Sequence, residues 1–336
     1  KWIDPVVFQD ALAACNLMPG PASTQLAIYC AWRLRGRRGA LLGGLCFIVP
    51  GLIVVIALSA LFLASGAPLW VRAGGAGAGA AVPAVAVNAG ASLMPDSWRR
   101  ASGHRLLWFA AFGAGVAGAV LLGAELVLVL LAAGLAGVVV IRRGGERRLA
   151  AIGPALAGKS FLGPLAVTAL KVGALAFGGG FVIVPLMRGD AVGPHHWMTS
   201  GQFLDAVALG QITPGPVVQT VSAVGYAAAG VGGALLASLI AFTPSFLLVL
   251  GFARRFDRVK RSPDVQAFLA GAGPAAIGAI VGVAALLASE LHHGWQVALL
   301  LVSLVALLVL RRGVVPVLIA AGVTGAVVGL AGAAVG

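Results

Sequence analysis

From Phe8 to Val335 the chain is a succession of apolar stretches, each about as long as a bilayer is thick, separated by short clusters of arginine. A helix needs roughly 20 apolar residues to cross the hydrocarbon core, and in lipid every backbone polar group must be satisfied within its own element. Those two constraints point to an all-α, polytopic integral membrane protein. Composition agrees, with 60% apolar and only 10% charged residues, where a soluble domain is near a quarter charged. The formal charge of +13 is spread over short loops, not gathered on a soluble module as nucleic-acid binding requires. It is the pattern that orients spanning helices. The 49 glycines, with alanine and valine, suit helices packed through small residues; a GC-rich coding sequence gives the same bias.

Hydropathy places apolar segments at Phe8 to Trp32, Ala40 to Ala64, Ala73 to Met94, Leu106 to Leu122 and Glu125 to Ile141. A charged connector follows, and a second set runs Phe161 to Met187, Phe203 to Ala229, Gly233 to Phe252, Gln266 to Ala288, Trp295 to Leu310 and Val314 to Val335. Cys15, Cys30 and Cys46 form no CxxC pair, so neither a zinc site nor a disulfide framework is expected. The chain starts at Lys1 without methionine, and a preceding N-terminal piece is expected.

The two sets are related. Trp2, Phe8, Asp10, Pro19, Gly20 and Pro21 match Trp197, Phe203, Asp205, Pro214, Gly215 and Pro216 at one offset (205 − 10 = 195). After a one-residue slip, Gly39, Ala40 and Pro50 fall on Gly233, Ala234 and Pro244. Two repeats, 1–150 and 160–336, are therefore expected. Loops after equivalent helices differ in charge: Arg33, Arg35, Arg37 and Arg38 against a neutral turn near Gly230, Arg72 alone against Arg254 to Arg261, and Arg99, Arg100 and Arg105 against Glu290, His292 and His293. Because Lys and Arg in short loops stay cytoplasmic, equivalent helices should run in opposite directions, as in inverted-topology repeats. That orientation puts both flanks of Phe161 to Met187 on the cytoplasmic side, so a re-entrant hairpin turning at Phe177 to Gly180 is expected there; a simple spanning helix is the alternative.

Two Pro-Gly-Pro sequences interrupt apolar runs: Asn16-Leu-Met-Pro19-Gly20-Pro21-Ala-Ser23-Thr24-Gln25 and Gln211-Ile-Thr213-Pro214-Gly215-Pro216-Val-Val-Gln219-Thr220. Proline inside a helix removes a donor and clashes with the preceding turn, at about 3 kcal/mol. The half-helix that restarts after each break offers unpaired N–H groups and a positive dipole end, a ready place for an anion. A pair of kinks serving only packing is the plainer reading, but it leaves the flanking Asn, Gln and Thr unexplained.

Lys171 lies within an apolar run, seven residues before Gly178. An intramembrane cation is a functional candidate by default, and a snorkelling lysine is the alternative. Gly178, Gly179 and Gly180 give backbone freedom and close approach to a ligand. Asp10 and Asp205 precede the two breaks; a helix-capping role is favoured over coupling to proton movement. Glu125 belongs to a tight turn. The pairs His195-His196 and His292-His293 lack a third ligand, so no metal site is expected. No nucleotide or dinucleotide fingerprint occurs, so no cofactor is expected.

The run Phe8 to Tyr29 with its Gly39…Phe47-x-x-Pro50 sequel, and in the second half Lys171 to Gly180 with Gln211-Ile-Thr-Pro-Gly-Pro216, resembles the chromate ion transporter family over nearly the whole chain. The resemblance implies a bacterial inner-membrane, multi-pass transporter that exports chromate, with sulfate as analogue, and confers chromate resistance; it implies no enzymatic activity. Its partners would be the small oxyanion and the lipid bilayer, with a homodimer left open. An anion channel or a sulfate-type carrier on the same helices is the alternative. The family's first half usually opens with a segment equivalent to Lys171 through Pro185, and this chain begins after that point.

Overall fold

The computed structural model describes residues 2–15, 20–63, 66–101, 103–141, 163–176, 181–252 and 262–334. Every regular element among them is helical: α1 (Pro5–Cys15), α2 (Ala22–Phe62), α3 (Leu69–Arg100), α4 (Arg105–Leu121), α5 (Leu126–Ile141), α6 (Gly163–Leu175), α7 (Ile183–Ala191), α8 (Ser200–Ile212), α9 (Thr220–Phe252), α10 (Pro263–Ser289), α11 (Gly294–Leu304) and α12 (Val314–Leu330). A π-helical turn, Val305–Val309, extends α11. Four stretches, Ala22–Phe62, Leu69–Arg100, Val217–Gly251 and Pro263–Ser289, are long and apolar enough to cross a membrane. Leu42, Ile53, Leu239 and Leu247 stand exposed on their outer faces, as suits a bundle solvated by lipid.

Two of these long helices are bent back on themselves. In α2, Arg35 (φ −139°, ψ 24°) and Gly36 (φ 59°, ψ −148°) leave helical geometry. In α9, Ala229 (φ −153°, ψ 33°) and Gly230 (φ 61°, ψ −150°) do the same, at matching places in the two halves (230 − 36 = 194). Only glycine takes the positive φ without strain. Across the α9 turn the two arms are in contact: a Cβ on Gly225 would lie 2.5 Å from the Gly233 carbonyl oxygen. In a straight helix those residues would be about 12 Å apart. The sequence expectation of separate segments before and after these loops is thus met, and the connection is a tight glycine turn.

The centre of the bundle is the pair α3 and α10. Gly90 of α3 faces Ile280 and Val281 of α10, and Gly273 of α10 faces Ser97 of α3, so the two equivalent helices run antiparallel. Each is covered by the last two helices of the other half. A Cβ on Gly77 would lie 2.7 Å from the Gly325 Cα on α12, and one on Gly271 would lie 3.1 Å from the Gly137 Cα on α5. These are the same contact made twice, with Ala321 and Ala133 as the matching neighbours. Small residues permit this approach, and in lipid, where association gains little from apolar transfer, close packing is what holds helices together.

The ends of the bundle can be told apart. Phe62, Arg72, Thr199, Glu290 and His293 line one cavity, so the end of α2, the start of α3, the start of α8 and the α10–α11 junction share one face. Arg188 reaches the same face, since its Nη2 donates to Glu290 Oε1 at 2.8 Å. Gly189 also lies beside Gly123 of the α4–α5 turn. Arg33 to Arg38 sit at the bend of α2, at the far end of its long arm from Phe62, and Arg99 to Arg105 lie at the far end of α3. This corrects one expectation: the stretch Arg188 to His196 lies on the face away from these arginines. Residues 142–162 and 254–261, on which part of the charge argument rests, are outside the described residues.

Candidate functional site

The second Pro-Gly-Pro sequence is a hairpin tip, and the described part of the first, Gly20 and Pro21, resembles it in backbone geometry. A Cβ on Gly210, near the end of α8, would lie 2.9 Å from Thr220 Cβ at the start of α9, though the two are ten residues apart in sequence. The chain therefore reverses at Thr213 to Gln219 instead of kinking and continuing. The short helical turn Val217–Gln219 leads into α9. In the first half, Cys15 of α1 and Ile28 of α2 share one buried apolar cluster, which is consistent with the same fold-back. Gly20 (φ 110°) and Gly215 (φ 135°) occupy the left-handed region at the two tips. At 1.5 Å per residue, the 13 residues of α8 reach about 20 Å. That reach is enough to carry the tip into the middle of a bilayer whose core is roughly 30 Å thick.

Each tip rests on the long arm of the other half. A Cβ on Gly51 of α2 would lie 2.7 Å from the Pro214 carbonyl oxygen. A Cβ on Gly20 would lie 3.2 Å from Ser245 Oγ of α9 and 3.4 Å from the Gly173 carbonyl oxygen of α6. Gly51 and Ser245 each follow the proline inside their helix, Pro50 and Pro244. Proline frees the carbonyl one turn before it, giving both tips a polar backbone surface to meet. The long arms themselves touch where Gly44 packs on Phe246. Both tips therefore lie along one seam, about 10 Å separating Gly44 from Gly51 on α2.

Several polar side chains are buried at this seam. Thr24 and Ser245 are fully buried, and Gln25, Gln211 and Gln219 nearly so. Among the described residues, Thr24 Oγ1, Ser245 Oγ, Gln211 Nε2 and Gln219 Oε1 have no hydrogen-bond partner. Orphaned buried polar atoms are rare and costly, and three of these four are donors. The remaining candidates fall out differently. Thr213 and Thr220 donate to Leu209 and Val217 carbonyls at 2.7 and 2.9 Å, closing their own helix ends. Gln219 Nε2 donates to Ser222 Oγ at 3.1 Å. Pro21 and Pro216 are buried at the tips, while Pro214 and Gly215 are exposed. Ser23 is exposed too, one helical residue away from the buried face, and does not join the group. Asn16 and Pro19 lie outside the described residues, as do Gly178, Gly179 and Gly180.

Lys171 does not stand as a lone cation. Its Nζ lies 3.2 and 3.1 Å from the two carboxylate oxygens of Asp190, and Thr168 Oγ1 donates to the same carboxylate at 2.7 Å. Asp190 is 3% exposed. Because Thr168 and Lys171 belong to α6 and Asp190 to the end of α7, these helices fold back on each other; the turn expected at Phe177 to Gly180 lies outside the described residues. Asp190 carried no sequence signal, since it has no motif around it and its partner is 19 residues earlier.

The capping role expected of Asp205 is overturned. Thr199 caps α8: its hydroxyl accepts from Gln202 N–H, and Gln202 Oε1 accepts from Thr199 N–H at 2.9 Å. The Thr-x-x-Gln pattern of a capping box is legible in the sequence and was the signal to read. Asp205 sits mid-helix, where a Cβ on Gly75 of α3 would lie 2.9 Å from its Oδ1. Asp10 lies inside α1, five residues from its start. Glu125 lies in the 3₁₀ turn Gly123–Glu125 and is exposed. Among the described residues no group of three or more His, Cys, Asp or Glu is placed to hold a metal ion.

Asp205 also borders the cavity noted above, of about 550 Å³, with Arg72, Glu290, His292 and His293. This cavity adjoins the start of α8 and is not lined by the buried seam residues, so it and the orphaned polar atoms are two places, not one.

The chromate transporter family model matches residues 1–138 and 164–330. The chain belongs to the chromate transporter family. It is similar to a chromate transport protein of Cupriavidus metallidurans, 35% identical over 96% of this chain and 82% of that one. A probable chromate transport protein of Synechococcus elongatus is 31% identical over 92% and 80%. A chromate transport protein of Pseudomonas aeruginosa is 31% identical over 83% and 71%. No solved structure matches the chain. Family membership and the apolar helices together make it a multi-pass membrane transport protein, not an enzyme.

Proposed function

We propose that the protein is a secondary transporter that exports chromate across the bacterial inner membrane, and so confers chromate resistance, by alternating access between two inverted repeats, 1–150 and 160–336. The observation that carries this reading is the set of buried, unpartnered donors, Thr24 Oγ1, Ser245 Oγ and Gln211 Nε2, around the two Pro-Gly-Pro tips. A tetrahedral oxyanion has several acceptor oxygens to satisfy them. The α2 and α9 N-termini after Pro21 and Pro216 have no side-chain cap, which leaves their N–H groups available to the same ligand. Two hairpins entering from opposite faces and meeting along one seam are the interrupted-helix geometry from which repeat-built transporters make a central site.

Support for the substrate comes from the relatives, which are named chromate transport proteins. Sulfate is the chemical analogue, of like charge and shape. Lys171 supplies a cation near the first tip, through the contact of its neighbour Gly173 with Gly20; Asp190 balances it until an anion competes. The test is chromate efflux from cells or vesicles carrying the protein, with sulfate as competitor. Equal chromate accumulation with and without the protein overturns the reading.

A further inference from the structure

Asp205 has an unusual setting for a carboxylate that the transport site does not use. On one side it borders the open 550 Å³ cavity. On the other it borders an apolar crevice of about 270 Å³ between α3, α8 and α12, lined by Val71, Ala208, Leu318 and Ile319. Two glycines of α3, Gly75 and Gly79, bring that helix's backbone against its oxygens, at 2.9 and 3.4 Å from a built Cβ. Among the described residues it makes no hydrogen bond or ion pair. Arg72, the nearest cation by position on α3, lines the same cavity without pairing to it. Asp205 stands on α8, two helical turns before Gln211, so it lies between the cavity and the orphaned donors of the second tip.

We propose that Asp205 is a proton-binding site on the anion's route, so that a proton and the oxyanion are carried in the same direction. The proposal rests on the transport reading above. An ionised carboxylate repels a dianion on the same path, and hydrocarbon on one side leaves little water to screen that repulsion. A protonated carboxyl does not repel it and can donate a hydrogen bond. Proton and dianion therefore favour each other's binding, and favourable linkage is reciprocal. Counter-movement needs the opposite, two ligands that exclude one another. The charge balance follows: one proton taken up by the Asp205 carboxylate, carried with one dianion and released on the far side, moves one net negative charge. Outward movement of negative charge is driven by a membrane potential negative inside, so export along this route needs no ATP.

Other groups on elements packed around α8 are Arg72 on α3, Arg188 and Asp190 on α7, Tyr226 on α9, and Glu290, His292 and His293 at the α10–α11 junction. Arg188 and Asp190 are already paired, with Glu290 and Lys171. The two histidines line the same cavity and must be separated from Asp205. The experiment measures net transport of chromate and, separately, of sulfate, with the accompanying proton movement, in vesicles containing the full chain, as a function of pH. For the natural sequence, net transport should fall by up to about tenfold per pH unit on the alkaline side, and protons should move with the anion. Asp205→Asn, a neutral mimic of the protonated form, should flatten the pH profile and abolish proton movement, while the His292→Asn/His293→Asn double variant keeps both. Protons moving against the anion, or Asp205→Asn retaining the natural pH profile, overturns the proposal. If Asp205→Asn is lost from the membrane, Asp205→Glu should restore proton movement with a displaced profile, and an unshifted profile overturns it. Absence of any net oxyanion transport in the natural sequence sinks the transport reading itself, and this inference with it.

Discussion

Gly51 of α2 lies against Pro214 of the second hairpin tip, with room for only a hydrogen between them: a methyl group on Gly51 would sit 2.7 Å from the proline's carbonyl oxygen. Ser245 holds the matching position toward Gly20 of the first tip. The two halves are therefore interlocked, each bearing the other's interrupted segment, and any movement of one tip is felt along the opposite long arm.

Gly51→Val tests that contact. Overpacking a tight backbone approach costs about 1–3 kcal/mol, and here the cost is met by pushing the second tip away from the seam. Chromate efflux should drop at least tenfold while membrane insertion persists. Efflux at the natural rate with Gly51→Val would mean that the tip does not need α2.

The orphaned hydroxyls give a prediction with opposite signs in two measurements. Thr24→Val and Ser245→Ala each remove a buried polar atom that has no partner, so thermal stability in detergent should hold or rise, by up to about 1 kcal/mol. Oxyanion transport should fall in both. A hydroxyl serving only packing would show the reverse, lost stability with transport retained. Gln219→Leu should likewise weaken transport without preventing insertion.

Asp190 and Lys171 should behave as a coupled pair. Asp190→Ala leaves an ammonium in a largely apolar hairpin and should destabilise by roughly 2–3 kcal/mol, below the value for fully buried pairs because Lys171 is 28% exposed. Adding Lys171→Met should recover most of that loss. Additive effects in the double variant would show that the two side chains do not interact in the membrane.

Sidedness can be checked by single cysteines placed in a chain with Cys15, Cys30 and Cys46 replaced. Labels at Arg37, Arg105 and Arg311 should react from one face of the membrane, and those at Thr199, Glu290 and His292 from the other. Reaction of Thr199 and Arg37 from the same face contradicts the arrangement of the bundle ends.

Much of this architecture was legible without coordinates. Proline chemistry alone located both interruptions, because a Pro-Gly-Pro cannot continue a helix, and the shared register of Trp2, Phe8 and Asp10 with Trp197, Phe203 and Asp205 exposed the duplication. The direction taken after each break was not legible. A kinked crossing and a hairpin folding back use the same number of apolar residues, so hydropathy cannot tell them apart. The error in siding Arg188 to His196 followed from that choice. The capping signal of α8 lies in Thr199 and Gln202, three residues apart, and Asp205 falls beyond it.

By itself the sequence determined the solvent of this fold, its helical class, its twofold internal plan and the places where helices must break, since all of these follow from local composition and backbone chemistry. Tertiary structure alone decided that the tips rest on the opposite half's long arms, that Lys171 is answered by Asp190, and that Asp205 looks into a cavity. Those are contacts between residues far apart in the chain, and their energies depend on which surfaces meet in three dimensions, information that no single stretch of residues contains.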